Sequence, residues 1–236
     1  MVHRRAVPPR AEIQALRTGT AVRGLRARGH GGRAAGLTAP DPFPATLDAA
    51  LSLTARRYAF ERRHAVAGSA FAAFFRRDVA AMARAAVAAR PETLMVRAST
   101  GAPGWAAVPW VAWFAPQVTR SMRHGLYVVA FVDPLAERVV LSLQHGAADA
   151  LRDLGPEAGR AALRTRAATT RAALGDAVGA GLMPGPCPLA PPGDLPQGYR
   201  AGSVLWRDWS AGTPDPAGFG AVLTRLLDLY RLAVAG

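Results

Sequence analysis

Between Val96 and Gly146 the chain reads VRASTGAPGWAAVPWVAWFAPQVTRSMRHGLYVVAFVDPLAERVVLSLQHG, which gathers Trp105, Trp110, Trp113, Phe114, Tyr127 and Phe131 into one stretch. Flat aromatic faces can stack on nucleobases, and every base offers a π-face to such a partner. Arg97, Arg120 and Arg123 bracket the uncharged part of the stretch, and Arg200 lies further along. A guanidinium suits phosphate because its planar fork bonds two oxygens at once. Stacking plus phosphate pairing is the chemistry of a nucleic-acid interface. The alternative is plainer: aromatics alternating along strands usually fill a core, and single arginines usually sit in solvent. Trp113 and Phe114 fit the core reading best, whereas Trp105, in a loop, is expected to be exposed.

Covalent and metal chemistry have little to work with. The chain has no lysine, so a P-loop, a Schiff-base centre and any nuclease core built around a lysine are excluded. Cys187 is the only cysteine, so one chain can form neither an internal disulfide nor a cysteine-based zinc cluster. A reducing cytoplasm is the expected setting. His124 and His145 could pair with Cys187 if the surrounding loops fold back, but nothing supplies the third, orienting group. The 16 carboxylates show no HExxH, no Asp-x-Asp and no metal-ligand spacing. The expectation is a binding module without catalytic residues, metal or cofactor.

All 29 basic residues are arginine, asparagine is absent, and Ile13 is the sole isoleucine among 236 residues. A G+C-rich genome writes that bias into neutral positions, so arginine abundance alone says little. Its distribution says more. Residues 1–45 hold eight arginines against two carboxylates, residues 46–90 eight against three, residues 91–150 four against four, and residues 151–175 five against two. A basic arm followed by a domain with a basic face would look this way. The paired arginines at the start are not followed by the apolar run of about 7 to 15 residues that a secretory signal needs. Ala98 to Thr119 carries no charge, but Pro103, Pro109, Pro116, Gly101 and Gly104 interrupt it as a membrane helix. Buried strands are expected instead.

The elements that must position these residues follow from period. Ala45–Val66 reads as an amphipathic helix with Leu47, Leu51, Thr54, Tyr58 and Phe60 near one side. Ser69–Ala89 reads as a second helix, capped by Ser69, burying Phe71, Phe74, Phe75, Val79, Met82 and Val87, and ended by Pro91. Strands are expected at Leu94–Ala98, Val108–Phe114, Leu126–Val132 and Arg138–Leu143, the last two joined by a turn at Asp133-Pro134. A basic helix follows over Glu157–Leu174. Gly179–Gly198 is too rich in proline and glycine for a regular element. A helix over Ala217–Val234 closes the chain. The expected fold class is α+β, a small mixed β-sheet packed with helices, as a single domain over residues 46–236 behind a disordered basic arm over residues 1–45.

The loop-strand-strand order around PWVAWF and GLYVVAF resembles the MrcB-like N-terminal domain, the modified-DNA-reading module that precedes the motor in McrB-type restriction systems. Tyr199 and Gly202 as Y-x-x-G, an aromatic-rich helix with Trp206 and Trp209, and the terminal LLDLY over Leu226–Tyr230 are similar to the end of that domain. The resemblance covers about 190 residues, from roughly Ala45 onward.

What the resemblance implies is binding of double-stranded DNA carrying a modified base, methylated cytosine first, with the target nucleotide rotated out of the stack into an aromatic slot. By motif position the slot corresponds to Ala102, Trp110 and Phe131, with Trp105 and Tyr127 beside them. Unstacking costs a few kcal/mol, and flat apolar walls recover it. The prototype domain has an aromatic residue where this chain has Ala102, so one wall is missing or supplied by Trp105. Phosphate contacts are expected from Arg97, Arg120, Arg123 and Arg200. An AAA+ motor and a nuclease would be separate chains of a defence system. Two other classes stay open, a general nucleic-acid binder or regulator, and a protein-interaction adaptor docking through the Trp206 and Trp209 segment.

Overall fold

The computed structural model describes residues 43–213 and 215–235. Of the expected arm, only residues 43–45 fall within them. Leu47–Glu61 (α1) carries Leu47, Leu51, Thr54 and Tyr58 on one buried stripe, the expected i, i+4, i+7 spacing. Phe60 departs from it and is 55% exposed, because two residues past Tyr58 the helix has turned to about the opposite face. Ala70–Phe74 (α2) and Ala80–Ala85 (α3) form one rod interrupted by a π turn at Phe75–Val79, and the Ser69 hydroxyl caps it by accepting from the Ala72 N–H. The wide turn brings Phe74, Phe75 and Val79 all onto the core side.

Six strands then build one sheet: Met95–Ser99 (β1), Trp110–Phe114 (β2), Leu126–Asp133 (β3), Arg138–His145 (β4), Met183–Pro184 (β5) and Ser203–Ser210 (β6), in the order β1-β2-β3-β4-β6-β5. The α+β class is the expected one. The sheet, expected to be mixed, is antiparallel at every pairing among the described residues. β3 and β4 are joined by a tight hairpin, while longer loops connect β1 to β2 and β2 to β3, and β4 pairs with β6 across the helices between them. Asp133 closes the β3–β4 turn by accepting from the Leu135 and Ala136 N–H groups.

The second half holds Ala148–Leu154 (α4), Pro156–Leu174 (α5), Asp194–Gly202 (α6) and Pro216–Ala235 (α7). α1, the π-interrupted rod and α7 cover one sheet face, meeting Val111, Trp113, Val128, Ala130, Leu141 and Leu205. α4, α6, Leu163 of α5 and the Cys187–Leu189 segment cover the other, meeting Ala112, Phe114, Tyr127, Val129, Phe131 and Val140. All eight residues of β3 are buried as a result. That is why this part of the chain carries no alternation of polar and apolar residues.

Two expectations are corrected here. The aromatic-rich helix expected after the Y-x-x-G motif is a strand: Tyr199 and Gly202 end α6, while Trp206 and Trp209 lie on β6. Pairing of Ser142 with Trp206 and of Val139 with Trp209 along β4 satisfies the backbone of β6, and the two indoles point to opposite faces. The stretch expected to be wholly irregular yields α6. Gly198 there presses on α4, where an added Cβ would lie 2.7 Å from a Leu151 methyl. Among the described residues no helix is long and apolar enough to cross a membrane.

Candidate nucleic-acid interface

The connection from Thr100 to Pro109 joins β1 to β2, and α1 and the π turn hold it in place. The Tyr58 hydroxyl shares its proton between the Thr100 and Ala106 carbonyls at 2.9 and 3.0 Å. Arg76 donates to the Thr100 hydroxyl and, at 3.0 Å, to the Gly101 carbonyl. Burial raises the Tyr58 phenol pKa, so it stays a donor. Gly101 has φ +101°, and a Cβ there would meet the Gly104 carbonyl oxygen at 2.3 Å. Gly101→Ala is therefore expected to strain or rebuild the loop at about 1–3 kcal/mol. Gly104→Ala, with nothing within 4 Å of its Cβ, should stay within about 0.5 kcal/mol. Chemical denaturation of the two variants side by side checks this, and equal stabilities would contradict it.

The loop tip is exposed at Ala102, Pro103 and Gly104. Trp105 does not fill the space beside Ala102. Its indole meets the Tyr58 ring edge-on at 5.3 Å and donates to the His64 carbonyl at 2.8 Å. Trp110, first residue of β2, is half-buried and pairs with Ser99 on one side and Phe131 on the other. Phe131 is fully buried, with its ring 4.7 Å from that of Tyr199. Tyr127 is fully buried too, donates to the Met122 carbonyl, and lies 5.5 Å from Phe114. Of the five aromatic-slot positions, Trp110 and Ala102 thus reach the surface beside the loop, Trp105 belongs to α1, and Tyr127 and Phe131 form the floor beneath.

The four phosphate candidates fall into three places. Arg97 on β1 is exposed and shares the Trp110 face, since Arg97 pairs with Ala112 two residues along β2. That diagonal relation spans about 7–8 Å, within reach of a long side chain. Arg120 and Arg123 sit on the β2–β3 connection, at the opposite end of the sheet from the loop. Arg123 is engaged by Asp149 at 2.9 Å, together with His124 and Arg152. The His124 hydrogen bond first, then the two arginines, hold the Asp149 carboxyl below the usual carboxylate range. Arg200 lies in a cleft of about 240 Å³ between α5 and α6, beside Arg160, Arg164 and Gln197. The i, i+4 spacing of Arg160 and Arg164 puts both on one face of α5, whereas their convergence with Arg200 comes only from the packing of α6.

The conceivable pairing of Cys187 with a histidine is not made. Cys187 is buried, its thiol pushed up to about 12 chiefly by burial, and its contact is the Tyr199 carbonyl rather than a histidine. Among the described residues no three His, Cys, Asp or Glu side chains gather as metal ligands.

An antiparallel sheet clad in helices, with a partly exposed tryptophan next to a tethered glycine loop and several arginine groups, makes a domain of α+β class. The chain belongs to the MrcB-like N-terminal domain family, which matches residues 54–234, and it is in general terms a McrB-type DNA-binding domain. No curated protein matches the chain.

Proposed function

We propose that this domain reads modified DNA, methylated cytosine first, by taking a rotated-out base against Trp110 at the mouth of the Thr100–Pro109 loop. The observation that carries the reading is the placement of Trp110: half-buried, at a strand start, between an exposed loop tip and the diagonal arginine Arg97. A ring packed against the core beside Phe131 and still partly exposed can stack on a base without the cost of ordering a free side chain. Arg97 can bond the flanking phosphate, and Ala102 leaves room where an aromatic wall would narrow the opening. In this reading the protein is a binding module rather than an enzyme, and it serves a restriction or defence system whose motor and nuclease are separate chains.

Trp110→Ala is expected to weaken binding of the preferred modified duplex by about 1–3 kcal/mol while leaving the fold intact. Titrating matched unmodified, 5-methylcytosine, 5-hydroxymethylcytosine and N6-methyladenine duplexes at two salt concentrations tests the reading. Preference for one modification, lost in Trp110→Ala, supports it. Equal affinity for all four makes the domain a general DNA binder, and no binding at low salt removes DNA from the account.

A further inference from the structure

We propose that the cleft between α5 and α6 is a phosphate site filled by the DNA backbone, with Arg160, Arg164, Arg200 and Gln197 as its donors. The inference rests on the DNA-reading function above and adds a docking point remote from Trp110. Arg160 and Arg164 stand one helical turn apart on α5, and Arg200 and Gln197 face them from α6, with Pro186 and Ala201 completing the lining. Like charges at i, i+4 repel, so three guanidiniums turned to one concavity oppose one another unless an anion sits between them.

The protein itself supplies little of that anion. Asp194 reaches Arg160 at 3.1 Å, yet its side chain is 62% exposed, and it is absent from the cleft lining. Among the described residues Arg164 and Arg200 are exposed and form neither an ion pair nor a hydrogen bond with the protein. Several arginines elsewhere are engaged, Arg76 by the loop, Arg171 by the Val204 carbonyl, Arg207 by Gly181 and Arg225 by Ala177 and Val178; what sets Arg164 and Arg200 apart is that they line one concavity together with Arg160. Helix packing thus sets Arg164 and Arg200 on the two sides of the cleft with open donors, while Arg160 pairs with Asp194.

That packing is built in. Gly202 at the end of α6 lies so near the sheet that a Cβ would meet the Gln144 amide and the His145 carbonyl, both at 2.7 Å. This close approach seats α6 against Leu163 of α5, bringing Arg200 opposite Arg160 and Arg164. A tetrahedral oxyanion suits the arrangement, because planar forks from two sides can each bond a pair of its oxygens. The cleft also connects to the proposed base site. Trp110 pairs with Phe131, Phe131 stacks near Tyr199, and Tyr199 precedes Arg200 on α6, all on one side of the sheet. A duplex presenting a base at Trp110 runs over the same side.

The test uses the full chain and the double variant Arg164→Gln, Arg200→Gln, with Arg231→Gln on α7 as an exposed control. Titrated with unmodified and modified duplexes over a salt series, the double variant should lose affinity several-fold and equally for both. Its slope of log K against log salt should become shallower by about one, and the control should match wild type. Separately, inorganic phosphate should shift the Nε–Hε NMR signals of Arg160, Arg164 and Arg200 saturably, and not in the double variant. Absence of that saturable shift overturns the site. A saturable shift with unchanged duplex binding in the double variant overturns the DNA source while the reader function stands. Failure of wild type to bind any duplex removes the reader function and the DNA source together. Saturation by oligoglutamate but not phosphate would reassign the cleft to an acidic protein and overturn the proposal.

Discussion

Phe131→Ala should cost about 3–5 kcal/mol of stability, the range for removing a fully buried phenyl ring and leaving a cavity. Phe131 is wholly excluded from solvent, sits on β3 between Trp110 and Val140 of the neighbouring strands, and packs its ring 4.7 Å from Tyr199. Three elements, β2, β4 and α6, therefore lose contact at once, and a close-packed interior collapses only partly into the space. For a domain of this size the midpoint of thermal unfolding should fall by on the order of ten degrees. Urea unfolding and a thermal scan read the effect directly. The experiment also separates two roles, because Phe131 is one of the positions that the family resemblance assigns to the base slot. A stable Phe131→Ala protein that has lost discrimination between modified and unmodified duplexes would make it a pocket wall rather than the floor. Trp110→Ala should behave in the opposite sense, losing affinity with a smaller stability cost.

Acid should destabilise the domain between about pH 7 and pH 4 through one histidine. His145 ends β4, hydrogen-bonds the Thr170 hydroxyl of α5 at 2.8 Å, and is largely buried beside Arg166. Burial first, and then the Arg166 charge, hold its pKa down to about 4 from an ordinary 6.5. The unfolded chain takes up a proton through that window and the folded chain refuses it, so stability falls as pH drops from the unfolded value toward the folded one. The full effect is on the order of 3 kcal/mol. Urea midpoints at several pH values check it, with His145→Gln expected to lose most of the dependence above pH 4. A wild-type midpoint that is flat from pH 7 to pH 5 would show that the folded protein protonates His145 without cost.

Much of the architecture was legible in the residues. The stripe of Leu47, Leu51, Thr54 and Tyr58, the Ser69 cap and the apolar runs of β2, β3 and β4 lie within a few residues of where period and punctuation put them. These are local signals, since a helix or strand declares itself through the spacing of its own apolar residues. α6 and β6 escaped because their causes are not local. DLPQGYRAG contains a proline and two glycines and has poor intrinsic helix propensity; what favours α6 is close packing of Gly198 and Gly202 against α4 and the sheet. Trp206 and Trp209 have helical spacing in the sequence, yet β4 offers an unpaired edge, and pairing with it determines the conformation of β6.

By itself, then, the amino-acid sequence determined the α+β class, the family, the absence of lysine chemistry and the aromatic and arginine inventory. Which of those side chains can meet another molecule was decided only by tertiary structure. Tyr127, Phe131 and Trp110 are close neighbours in a strand pattern, but helices on that face bury the first two and leave Trp110 at the rim. Trp105 turned to α1 because a carbonyl and a ring edge were waiting there. Arg160, Arg164 and Arg200 became one cleft because two glycines let a short helix lie close to α4 and the sheet. Exposure and convergence depend on what packs on top, and a one-dimensional pattern specifies a residue's own face without specifying its cover.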